Sequence, residues 1–159
     1  MTSKTPWLNP NWSKRIQWLL DSYRHWLGTD LMDRGGSASE QAERLYLAPC
    51  VVVSHGIESD PILNSANAIA LTLWEMPLEQ FLKTPSRLTA EPVHRDERAR
   101  MLDITRRQGY IDDYRGIRVS ATGRRFRIDR AIVWNILDDQ NQPAGQAATF
   151  SEWEFLPAS

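Results

Sequence analysis

The side chains best equipped for chemistry in this chain are three histidines (His25, His55 and His94), one cysteine (Cys50) and a dense set of arginines. No two histidines stand three or four residues apart, so a zinc or non-haem iron site would have to gather its ligands from distant segments. The single cysteine excludes an internal disulfide and a cysteine-rich zinc site. Cys50 itself reads as a small buried apolar residue. The stretch "SHGIESD" brings Ser54, His55 and Asp60 together, which are the residue types of nucleophilic catalysis. Neighbours on a strand point to opposite faces, however, so Ser54 and His55 do not meet there. No GxSxG elbow, phosphate loop or GxGxxG turn is present. These residues do not assemble an enzyme, and no metal site is expected.

The arginines fall into two groups. Arg95, Arg98, Arg100, Arg106 and Arg107 share a predicted helix with Asp96, Glu97 and Asp103, which makes a solvated face with i, i+4 pairs. Arg115, Arg118, Arg124, Arg125, Arg127 and Arg130 lie on the hairpin that follows. Arg125 and Arg127 alternate with Phe126 and Ile128 and so face away from the core. Arg130 instead shares parity with Phe126, Ile128, Ile132 and Trp134. A β-bulge near Asp129 that resets the facing is the favoured reading. The other is a guanidinium in the interior, paired with Asp112, Asp113 or an anionic ligand.

The elements that hold these residues come from the hydrophobic pattern. "NPNWSKRIQWLLDSYRHWLG" is a helix capped at Asn9 or Asn11 and stopped by Gly28, with an apolar stripe through Ile16, Leu19, Leu20, Tyr23 and Trp26. Ser39 opens a second helix that Pro49 ends. "CVVVSHG" and Ile62-Leu63 are short strands. Asn67 starts a helix bearing Ala70, Leu71 and Trp74 on one side, and Asn64 and Asn67 read as turn and cap residues. A helix over "HRDERARMLDITRRQG" leads to three long strands, the last of them "QAATFSEWEF". Successive strands joined by short turns imply an antiparallel sheet, and the helices then cover one face of it. The expected class is α+β: a five-stranded antiparallel sheet with helices over one face, plus an N-terminal helical extension. Residues 1–38 form the extension and 39–159 the main domain.

At 159 residues, with 42% hydrophobic and 25% charged residues, the chain has the make-up of a soluble globular domain. Its 19 Lys+Arg balance 20 Asp+Glu, so nucleic acid is not an expected partner. No apolar run reaches the roughly 18 residues of a membrane span, and no apolar signal core is present at the N-terminus. The expected compartment is cytoplasmic. The tryptophan-rich stripe of the first helix must bury itself on the sheet or on a second chain, and a homodimer through that helix is the expectation.

Several stretches resemble a PAS domain: "ILNSANAIALTLWEMPLEQFL", "VHRDERARML", "SATGRRFRI" and "LDDQNQPAGQAATF". "DPILNSANAIALTLWEM", "TPSRLTAEP", "GYIDDYRGIRVSATGRRFRI" and "AIVWNILDDQNQPAGQAATFSEWEF" are similar to one branch of it, the MEKHLA domain. That branch occurs in cyanobacterial and other bacterial proteins and at the C-terminus of plant class III homeodomain-leucine-zipper factors, and the bacterial stand-alone type is the one expected here. The resemblance covers residues 40–157 and the preceding helix. It implies a sensory or regulatory module that binds a small ligand or a protein partner. The alternative is a structural dimerisation module in which the cup enclosed by the sheet and its helices is filled by its own side chains. Some PAS sensors hold haem through a helix histidine, which makes His94 the haem candidate, although "VHRDE" places it at a cap. Covalent flavin chemistry requires a cysteine where this chain has "RLTAEP". The expected cup lining is Trp74, Phe81, Arg87, Tyr114, Trp134 and Asn135, with Arg130 conditional on its facing inward; the resident cofactor is left open.

Overall fold

The computed structural model describes residues 4–92 and 95–157. The first helix, α1 (Pro10–Leu27), is set by its ends: the Asn9 side chain accepts from the Asn11 N–H, Pro10 takes the first position, and Gly28 closes it at φ 81°. The second, α2 (Ala38–Tyr46), starts at Ser37 rather than Ser39, because Ser37 and Glu40 form a reciprocal capping box. Strands β1 (Val51–His55) and β2 (Leu63–Ala66) follow, then α3 (Ala68–Trp74), α4 (Leu78–Phe81) and α5 (Arg95–Gln108). Strands β3 (Tyr110–Val119), β4 (Arg125–Leu137), β5 (Pro143–Phe150) and β6 (Trp153–Phe155) complete the chain.

All pairings described are antiparallel, in the order β2-β1-β5-β4-β3, with β6 also on β4. The sheet has six strands rather than the five expected. The segment read as one last strand breaks at Ser151 and Glu152, and its second piece returns to β4 as β6.

Two apolar cores lie on the two sides of this sheet. On the inner side, Trp74, Phe81, Ile111, Tyr114, Phe126, Ile128 and Phe150 are buried beneath α3, α4 and α5. On the outer side, Val52, Trp134, Ile136 and Ala147 are buried against Ile16, Leu19, Leu20 and Tyr23 of α1 and Leu45 of α2. The apolar stripe of α1 is thus buried within one chain.

A bulge in β4 decides which side chains reach which core. Gly116 pairs with Ile128 and Tyr114 with Ala131, so Asp129 and Arg130 oppose the single residue Arg115. Arg130 takes the left-handed conformation at φ 55°. Before the bulge, Phe126 and Ile128 point inward; after it, Ala131 and Val133 do, while Trp134 and Ile136 point outward. One extra residue moves every later side chain to the opposite face. The bulge expected near Asp129 is present, and it accounts for Arg130 lying exposed. Among the described residues, no helix is long and apolar enough to cross a membrane.

Candidate functional site

The inner side of the sheet and α3–α5 form the cup, and its centre is Trp74. Its ring stands edge-on to Phe126 at 5.4 Å between centroids and to Phe81 and Phe150 at 6.1 Å each. Edge-to-face contacts of this kind suit the ring quadrupoles and add to the burial of the ring area. The indole N–H donates to the Thr89 carbonyl at 3.1 Å, so the polar handle of the tryptophan is also satisfied. Tyr114 closes the β3 side, with the Arg118 guanidinium 5.3 Å from its ring centroid. Trp74, Phe81 and Tyr114 of the expected lining are therefore brought together, as components of a packed core.

Above Trp74 the chain is fastened to the β3–β4 turn. Glu75 ends α3 in the left-handed conformation, and its carboxylate accepts from the hydroxyls of Ser120 (2.6 Å) and Thr122. These two bonds, Ser120 first, hold the Glu75 carboxyl below its ordinary pKa. The Ala121 N–H donates to the Trp74 carbonyl at 2.9 Å.

The other expected residues are placed elsewhere. Trp134 is fully buried, but on the outer face, where its indole N–H donates to the Leu19 carbonyl at 3.0 Å and its ring meets Tyr23 edge-on at 5.0 Å. The bulge put it there. Arg87 lies in a short 3-10 turn whose buried member is Thr89, and its exposed guanidinium pairs with Asp60 at 3.1 Å. It points away from the cup. Arg130 is exposed, so the condition for its ligand role is not met. His94 falls outside the described residues.

Asn135 sits at one end of the cup in a polar row. Its amide donates to the Thr105 carbonyl of α5 at 3.1 Å and accepts from the Gln146 side chain at 3.2 Å. Gln146 is opposed in register by His55 of β1 on its other side. Gln146 and Thr105 were not legible as site residues, because only the strand order makes them neighbours of Asn135.

Asn67 holds the N-cap position of α3, as read from the sequence, but its side chain makes no capping bond to that helix. It is buried, accepts from the Val52 N–H at 3.1 Å, and donates to the carbonyls of Leu45 and Cys50 at 3.2 and 2.6 Å. Asn64 does accept from a neighbour: Ser54 Oγ donates to its Oδ1 at 2.5 Å and also contacts Ser65 Oγ. An open cleft lined by Trp12, Tyr46, Ser65 and Asn67 lies between α1, α2 and β1–β2, on the side away from the cup.

Among the described residues, no three His, Cys, Asp or Glu side chains gather in a group that could hold a metal ion. Cys50 is half-buried against the outer core, where burial, and after it the nearby thiol, push the Tyr23 hydroxyl up in pKa. Among the described residues, no nucleophile, base and orienting carboxylate come together in the cup.

The family model of the MEKHLA domain matches residues 13–155. Similar curated proteins include the homeobox-leucine zipper protein ATHB-15 of Arabidopsis thaliana, 22% identical over an aligned length of 158 residues, with 96% of this chain and 18% of that protein covered. Another is HOX10 of Oryza sativa subsp. indica, 24% identical over an aligned length of 151 residues, with 92% of this chain and 18% of that protein covered. The chain thus spans about a fifth of the length of these curated relatives. Both are plant homeobox-leucine zipper proteins, one of the two settings expected for the MEKHLA domain, and neither is of the expected bacterial stand-alone type. Among solved structures, the PAS domain of a protein from Colwellia psychrerythraea superposes with a TM-score of 0.59 at 14% identity, over 74% of this chain and 94% of that one. A light-oxygen-voltage domain gives 0.55 at 13% identity, over 74% and 85%. Both likenesses are likenesses of fold.

Proposed function

The chain belongs to the MEKHLA domain family, and on that premise we propose that it is a non-catalytic regulatory module that acts by contact with a protein partner, its cup filled by its own side chains. The observation that carries this reading is the Trp74 cluster. A ligand cup needs apolar walls around space and a few convergent polar groups. Here the walls meet: Trp74, Phe81, Phe126 and Phe150 touch ring to ring, and each is at most 4% exposed. Arg87, expected with Asn135 to supply the polar contacts, lies on the surface, and Arg130, whose part was conditional on facing inward, is exposed.

The test is to purify the protein, record its absorption spectrum, then denature it and search the supernatant by mass spectrometry. A colourless protein that releases no small molecule is the expected result. A stoichiometric released compound, or a visible absorption band, would overturn the filled-cup reading in favour of a ligand sensor.

A second copy of the chain is the partner this proposal tests first. The stripe of α1 is buried within its own chain, so a dimer would use the flanking surface, where Leu8 (69% exposed) and Leu47 (63%) stand beside the Trp7–Tyr46 pair. Light scattering at micromolar concentration checks it: twice the chain mass is expected, and a monomer mass refutes it. A cytoplasmic setting belongs to the same proposal and is checked by fractionation.

A further inference from the structure

The junction of α5, β3 and β4 holds an irregularity that α1 repairs. Gly109 and Asn135 face each other where the β3–β4 ladder begins, and the Asn135 N–H donates to the Gly109 carbonyl at 2.9 Å. In a regular antiparallel pair the Gly109 N–H would return the bond to the Asn135 carbonyl. It does not, because it closes the end of α5 on the Thr105 carbonyl, also at 2.9 Å. The Asn135 carbonyl is left without its ladder donor. Trp26 of α1 fills the gap from the opposite side of the sheet, its indole N–H donating to that carbonyl at 2.8 Å. The fit allows little slack: Gly109 has φ 86°, and a Cβ there would stand 2.3 Å from the Trp26 ring.

Asn135 is thereby gripped from both faces. Its side chain holds Thr105 of α5 on the cup side, and its carbonyl holds Trp26 of α1 on the outer side. We infer that Asn135 is a two-sided clamp that couples the position of α5 over the cup to the docking of α1 on the outer face. If α5 shifts, Asn135 and Gly109 shift with it, and Trp26 loses both its acceptor and its seat. If α1 lifts, the Asn135 carbonyl loses its donor and the end of α5 loosens. Coupling of this kind is reciprocal. It does not depend on whether the domain contacts a ligand or a protein.

Hydrogen exchange of the full chain tests it from both ends. Trp26→Phe keeps an aromatic ring at Gly109, though a smaller one, and removes the indole donor. It should accelerate exchange at residues 105–108 of α5 by about fivefold or more, the lower end of measured coupling between sites, with β1 and β2 unchanged. Asn135→Ala cuts the link on the cup side and should accelerate residues 23–27 of α1. Acceleration confined to the element that lost its own bond, in either variant, overturns the clamp. Should a variant lose protection throughout, the wild-type chain decides: at rising sub-denaturing urea the two helix ends should open with one free energy and one urea dependence. Separate openings refute the coupling.

Discussion

Replacing Asn67 separates two accounts of the strand-to-helix turn. As a helix cap it would be worth about 0.5–2 kcal/mol, and aspartate would serve as well as asparagine. The structure gives it another task. Its backbone N–H donates to the Val52 carbonyl at 3.2 Å and its Oδ1 accepts the Val52 N–H at 3.1 Å, so the side chain adds one rung to the β1–β2 ladder. Its amide N–H groups hold the carbonyls of Leu45 and Cys50. Asn67→Ala leaves the N–H of Val52, a residue 2% exposed, without a partner, which costs about 1–3 kcal/mol. The Leu45 carbonyl keeps the Ala48 N–H, so it loses less, whereas the bond to the Cys50 carbonyl is lost. With the small void left behind, the total is about 3–5 kcal/mol, a large part of the roughly 5–15 kcal/mol that holds a domain folded. Asn67→Asp is the sharper variant, since a carboxylate there would face two carbonyls whose donors it had removed. Its folded-state pKa must be raised, so its stability is retained at low pH and lost as pH rises through that value. The assay is urea unfolding followed by tryptophan fluorescence at several pH values. The gap to wild type should narrow as pH falls from 7 towards about 4, the ordinary aspartate range. Asn67→Asp within about 0.5 kcal/mol of wild type at pH 7, the usual span of a neutral surface change, would refute this account.

Three other outcomes follow from the same geometry. Trp74→Ala should cost about 3–5 kcal/mol by urea unfolding, because the ring fills the centre of the inner core and neighbouring aromatic rings cannot collapse onto the void. Ser120→Ala removes the first of the two hydroxyls that depress the Glu75 carboxyl, and its pKa read by NMR should rise towards the ordinary value of about 4.3. Since the folded-state value is the depressed one, any stability from this contact is present above the unfolded value and lost as pH falls through the folded one; a turn over residues 120–123 that loosened first at neutral pH would contradict it. Arg130→Gly should stabilise the chain by about 1 kcal/mol in the same unfolding assay, because Arg130 is exposed and pays the left-handed penalty that glycine avoids.

The sequence by itself determined what local periodicity and end chemistry can carry. Asn9, Pro10 and Gly28 delimit α1; the start of α2, expected at Ser39, lies two residues earlier, where the Ser37–Glu40 spacing carries the capping-box signal. The alternation of Phe126 and Ile128 with Arg125 and Arg127 is that of a half-buried strand, and the misplaced parity of Arg130 gave away the bulge. Each of these signals lies within a few residues of what it specifies. The tertiary structure alone decided the rest. Trp134 was assigned to the cup by a parity count that the bulge resets four residues earlier. Asn67 carries the right chemistry for a cap, yet its partners Val52, Leu45 and Cys50 become neighbours only when β1 and α2 close around it. Asn135 was read as a pocket amide, and its grip on Thr105 and Trp26 exists because α5 and α1 arrive from opposite faces of one strand. Backbone periodicity is set by residues a few positions apart, whereas a side-chain hydrogen bond is set by whichever distant segment the fold delivers within about 3 Å.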